Sequence, residues 1–251
     1  DANGWTRDTA QRVIVESRNS AFVPLLRDRV LHAVLPRDRV SALWCLEGLS
    51  AISVQDIDQG IHDSDPHVRI AAIQAGESIL RSSDGVKLIK TLSERVATED
   101  PIVLNQVALS LSGVTDKESL DLLWSILARA NEHPSLRDGI LIGLKGHETE
   151  VLTVLVKNIH NNHGNLFGTT PLLEDLALHL VVAGKEATQA LTQAIADSTL
   201  PQPARFALFV GATKVSGVTL GEDTLNQVAS VSPDVIVKTK AKAMALSLIH
   251  I

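Results

Sequence analysis

The chain has 251 residues, of which 45% are apolar and only 3% aromatic, with no Tyr, one Cys and a formal net charge of −6. That length allows one large domain or a short solenoid. A core of Leu, Val, Ile and Ala suits helix-on-helix packing and offers few stacking platforms for single-stranded nucleic acid. The acidic balance argues against a duplex-binding face, Cys45 alone excludes an internal disulfide or a CxxC motif, and no apolar run approaches the roughly 20 residues of a membrane span.

The chain opens Asp1-Ala2-Asn3-Gly4 rather than at Met, so its N-terminus is expected to be a cut one. From residue 36 onward, prolines recur at 36, 66, 101, 134, 171 and 201, spaced by 30 to 37 residues. Each opens an apolar helical segment, where proline is tolerated because its missing N–H has no helical partner. Asp65-Pro66 and Asp100-Pro101 add an N-cap acid.

Positions two, six, nine and thirteen after each proline form an i, i+4, i+7, i+11 stripe, one face of a helix. Examples are Val68, Ala72, Ala75 and Ile79, then Val103, Val107, Ser110 and Val114, with small residues mid-stripe where a neighbour must approach. After Pro201 the stripe shifts by one, to Ala204, Leu208, Gly211 and Val215. A second periodic segment follows each proline helix, as in Val86, Ile89, Leu92 and Val96, or Val151, Leu152, Leu155 and Ile159. Breaks at Ser82–Gly85, Thr115-Asp116 and Gly146–Glu148 separate the helices, and the loosest stretch, Asn158–Asn165, reads as a longer inter-repeat loop.

The expected fold is therefore all-α, a solenoid of about six to seven HEAT-like helix pairs over residues 1–245. The last six residues, Leu246-Ser247-Leu248-Ile249-His250-Ile251, match one reading frame of a common transposase-based sequencing adaptor. They are expected to be read-through and take no part in the functional reading.

Two stretches are more specific. Asn3-Gly4-Trp5-Thr6-Arg7-Asp8-Thr9-Ala10-Gln11-Arg12 resembles the NGWWRDTAQRLL motif, and Val40–Leu49 (VSALWCLEGL) is similar to LHALWTLEGL. Both belong to the HEAT segment of the membrane-bound dehydrogenases, also called PVC-type haem-binding CxxCH proteins. The resemblance covers about residues 1–160, with Thr6 in place of a second Trp and Cys45 in place of Thr. It implies a three-part parent: a β-propeller like that of sugar dehydrogenases, then HEAT repeats, then a c-type cytochrome domain. This chain would be the middle part, extracytoplasmic or periplasmic. It would have no cofactor of its own, since haem c belongs to the downstream domain. Its partners would be the neighbouring domains of the same chain or another protein.

The candidate interaction residues are Trp5, Arg7, Asp8, Trp44 and Glu47. Trp5, Arg7 and Asp8 open the first helix and either dock a preceding domain or, for Trp5, cap the solenoid core. Glu47 is expected to accept from a neighbouring backbone or from Arg12 or Arg39. Cys45 lies in the small-residue stripe and reads as a buried structural thiol. The runs from His62 to His67 and from His160 to His163 lack the spacing that puts metal ligands on one rigid face. Gly48, Gly60 and Gly76 are isolated, and no phosphate-cradling loop or nucleophile motif occurs. No catalytic, cofactor or metal residue is expected. The alternatives are a free-standing HEAT adaptor and, further off, a HEAT-like enzyme related to bilin lyases or alkyl-purine DNA glycosylases.

Overall fold

In the computed structural model, which describes residues 4–161, 164, 166 and 169–214, proline sets the start of the expected helices. The helices among these residues are α1 (Gly4–Ser17), α2 (Phe22–His32), α3 (Pro36–Gly48), α4 (Val54–Ile61), α5 (Pro66–Ala75), α6 (Glu77–Leu80) and α7 (Val86–Arg95). They continue with α8 (Pro101–Ser110), α9 (Lys117–Leu127), α10 (Pro134–Gly143), α11 (Glu148–Asn161), α12 (Thr170–Ala183), α13 (Lys185–Ala196) and α14 (Gln202–Ala212). The described residues contain no strand. The Asp65 and Asp100 carboxylates cap α5 and α8 by accepting the His67 and Ile102 N–H groups at 2.8 and 3.0 Å. Ser53 and Asp56 close a reciprocal capping box on α4. Asn3, His163, Val215 and Leu246–Ile251 lie outside the described residues.

The chain divides into two compact units, residues 1–143 and 144–251. In the first, the proline helices α3, α5, α8 and α10 stack in one row, with α1 against α3 at its end. The helices α2, α4, α7 and α9 stack in a parallel layer, here the partner row. In the second unit α12 packs on α14, α11 on α13, and both α12 and α14 pack on α13. Each unit is thus a stack of helix pairs, the α-solenoid arrangement expected from the proline period.

For α3 and α5 the phase of the pairs differs from the expectation, whereas α8 and α12 pack more on the helix that follows, as expected. Each proline helix was expected to pair with the helix after it, yet α3 packs chiefly along α2 and α5 along α4, the helices before the prolines. The cause lies in the turns. Only Ala33–Leu35 and His62–Asp65 separate these helices, and a proline at the first helical position lets the chain reverse within that length.

Apart from the half-buried Asp38, the first three stripe positions behave as expected. Val68, Ala72 and Ala75, then Val103 and Val107, then Leu173, Ala177 and Leu180 are buried. The fourth is not, because the helices stop first: α5 ends at Ala75 and α8 at Ser110, so Ile79 and Val114 fall outside them. Val86 is likewise 54% exposed, and Leu88 takes its place in the core. The expected loop at Asn158 starts later, since α11 runs to Asn161.

Arginine–carboxylate clamps join successive pairs in the first unit. Arg39 donates from Nε and Nη2 to Asp63 at 2.6 and 2.8 Å, and from Nη1 to the Ala33 carbonyl at 2.8 Å. One repeat on, Arg69 donates to Glu99 Oε1 at 2.7 and 3.0 Å and to the Asp63 carbonyl at 2.9 Å. In the partner row, Arg27 reaches Asp56 at 3.0 Å. The Arg39 and Arg69 forks each tie one interhelical turn to the next, and Arg27 ties α2 to the start of α4, geometries that a lysine cannot reproduce.

Candidate functional site

Four of the five sequence candidates meet on one face. The start of α1 contributes Arg7, Asp8 and Gln11. The α2–α3 turn and α3 contribute Leu35, Pro36, Arg37, Val40, Ser41 and Trp44, and the N-terminus of α5 adds Asp65 and His67. Together they enclose a pocket of about 700 Å³. A second pocket of about 450 Å³ adjoins it and shares Asp8, Gln11 and Trp44. It is completed by Arg12, Val15, Glu47 and Gly48. The two form one groove along the α1–α3 crossing, with the half-buried Trp44 common to both.

The crossing itself depends on Gly48. A Cβ there would lie 2.7 Å from the Val15 side chain, so that side chain or α1 itself would have to shift. The glycine that looked isolated in the sequence therefore sits at the contact between α1 and α3.

Charge along the groove is mixed. Arg37 and His67 stand at the end where α3 and α5 begin, and Glu47 stands near the end of α3. Helix N-termini carry partial positive charge, which adds to the cationic character of the first end. Asp65 moderates it. Burial pushes its carboxyl up, but the His67 N–H and ring and the Val68 N–H outweigh that and hold it below the usual carboxylate value.

Several expectations change at this point. Trp5 does not cap the core: it is 74% exposed and does not line the groove. Asp8 is the fifth residue of α1, near its N-terminal end as expected. Glu47 is exposed and has neither expected arginine partner: Arg39 is taken by Asp63, and Arg12 lies 3.9 Å from Glu16. Sequence reasoning also missed Arg37 and His67. Both stand one residue after a proline, on consecutive proline helices, and that shared register was the available signal.

The remaining candidates stay apart. Cys45 is 3% exposed in a cluster with Leu26, Val30, Leu43 and Val68, and burial pushes its thiol up from its ordinary value. Such a thiol is a packing group, not a nucleophile. His62 Nδ1 faces the Asp58 carbonyl at 2.7 Å, whereas His67 lies beside Asp65. His160 Nε2 lies 3.0 Å from Thr199 Oγ1, whose hydroxyl donates to Asp197. Among the described residues no group of three or more His, Cys, Asp or Glu is arranged to hold a metal ion. Nor is any described helix long and apolar enough to cross a membrane.

Two rows of short paired helices joined by tight turns define an all-α helical-repeat protein. Over residues 54–145, from α4 to just past α10, the chain matches the family model described as HEAT repeats. No curated protein and no solved structure matches the chain. HEAT repeats imply a structural, protein-interaction role.

Proposed function

We propose that this chain is a spacer and docking segment of a larger extracytoplasmic redox protein. It would hold a β-propeller dehydrogenase-like domain and a c-type cytochrome domain in fixed relation. The α1–α3 groove would receive one of them, and the segment would bind rather than catalyse. One observation carries the docking part: Arg7, Asp8, Trp44 and Glu47, which lie in the two stretches that resemble the dehydrogenase family, line one groove. A half-buried tryptophan flanked by arginines is the composition of a binding hot spot. Haem c would belong to the downstream neighbour, with no cofactor in this segment.

The test is a titration of this chain with the domain encoded directly upstream or downstream in the parent gene. Trp44→Ala and Glu47→Arg are expected to weaken binding at least tenfold while leaving the melting temperature within about 2 °C, as substitutions outside the core do. Unchanged binding in both variants would remove the groove from the account.

A further inference from the structure

The end of the groove that Leu35, Pro36 and Arg37 contribute differs from its counterparts along the proline row. In α5, α8 and α10 the residue before the proline caps the helix. Asp65 accepts the His67 N–H at 2.8 Å, Asp100 the Ile102 N–H at 3.0 Å, and His133 Nδ1 the Ser135 N–H at 3.3 Å. In α3 that residue is Leu35, whose side chain offers no acceptor. The Arg37 N–H holds the position of those three amides and has no partner among the described residues. Leaving out an N-cap side chain weakens a helix, so the exchange of acid for leucine works against the stability of α3.

The same turn is unusual in what it shows to solvent. Val34 is 90% exposed and Leu35 44%, where the turns before α5 and α8 carry Ser64-Asp65 and Glu99-Asp100. Arg37 completes the contrast. Asp38 Oδ1 lies 3.9 Å from its Nε, beyond hydrogen-bond reach, and the guanidinium donates to nothing among the described residues. Arg39, two residues on, is held by Asp63. The pocket's own carboxylates are placed elsewhere: Asp65 is engaged with the first turn of α5, and Asp8 belongs to α1. An unmet amide, an unmet guanidinium and exposed apolar side chains thus stand at one end of a cavity of about 700 Å³ that Trp44 also lines. The group that complements such a set is a carboxylate beside an apolar side chain.

We infer that the groove takes an acidic, apolar protein segment whose carboxylate fills the place that Asp65 and Asp100 fill in the later repeats. That carboxylate accepts from the Arg37 N–H and pairs with the Arg37 guanidinium. An apolar neighbour in the same segment packs on Leu35 and Trp44. The inference rests on the groove being the docking surface and adds the chemistry that it reads. Its template is internal to the chain, since α5 and α8 show the same amide position satisfied by an aspartate.

The test follows the Arg37 amide resonance while the 251-residue chain is titrated with acetyl-Leu-Asp-Leu-amide or acetyl-Leu-Asn-Leu-amide. The aspartyl peptide is expected to shift the resonance saturably and to bind about tenfold tighter than the asparaginyl one. Leu35→Asp supplies the cap from within the chain. It should hold or raise the urea midpoint and abolish the shift. Arg37→Met keeps the amide and removes the guanidinium, so it should weaken the aspartyl peptide and leave the asparaginyl one unchanged. Equal binding of the two peptides, no shift with either, or undiminished binding in Leu35→Asp or Arg37→Met overturns the inference. Titration with the neighbouring domain separates it from the groove itself. If Trp44→Ala weakens that domain's binding and Leu35→Asp does not, the groove stands and the carboxylate site falls.

Discussion

Glu99 joins two repeats through one side chain. It is 3% exposed and accepts from Arg69 on Oε1, from Arg95 on Oε2 and from the Asp100 N–H. Burial pushes its carboxyl up, but the Asp100 N–H and the two guanidinium groups outweigh burial and hold it below the usual 4.5. A depressed carboxyl contributes stability above its unfolded value and loses it as pH falls through the folded one. Urea midpoints are therefore expected to decline as pH drops below 4.5. Glu99→Gln should cost roughly 3 kcal/mol at neutral pH, because it takes the buried charge away from two part-buried arginines, and should flatten that acid decline. An unaltered acid limb in Glu99→Gln would place the titration elsewhere. Cys45 offers a second probe at this scale. A 3% exposed thiol should react with a thiol reagent only as fast as the first unit opens, and labelling should accelerate with urea. Prompt labelling of the native chain would contradict its burial.

Among elements, close helix crossings are made by glycine. A Cβ on Gly211 of α14 would lie 2.0 Å from the Glu174 carbonyl oxygen on α12, which is backbone and cannot move aside. One on Gly139 of α10 would meet Asn105 Oδ1 at 2.1 Å, the end of a side chain that can rotate. Gly211→Ala is accordingly expected to cost about 1–3 kcal/mol and Gly139→Ala less, measured by urea unfolding. The reverse order would mean that α12 and α14 adjust more easily than their backbone contact implies. The helices themselves were legible in the sequence because proline, cap acid and small-residue stripe all act locally. The partners of α3 and α5 were not, because which neighbour a helix packs on depends on the turn and on apolar faces far apart in sequence. The site divides in the same way. Arg7, Asp8, Trp44 and Glu47 stood out in two local motifs, whereas Asp65 and His67 join them only when α5 packs beside α3. The clamps were half legible: Arg39 and Arg69 sit three residues after their prolines, but their acids, Asp63 and Glu99, precede the next proline.

At the scale of the whole molecule, charge and order of parts decide the function. With a net charge of −6 and mixed signs along the groove, the chain is not expected to be retained on duplex DNA at physiological salt. Salt-sensitive retention would reopen the nucleic-acid alternative. The two compact units are each built from packed helix pairs, as a HEAT-repeat chain with a structural, protein-interaction role would be. Reading the source DNA outward from both ends of this coding stretch tests the central claim most directly. One open frame with a β-propeller upstream and a CxxCH-bearing cytochrome domain downstream is expected. A frame that starts and stops close to these ends, or neighbours of any other kind, would contradict it and leave a free-standing HEAT adaptor whose partner has to be found by binding.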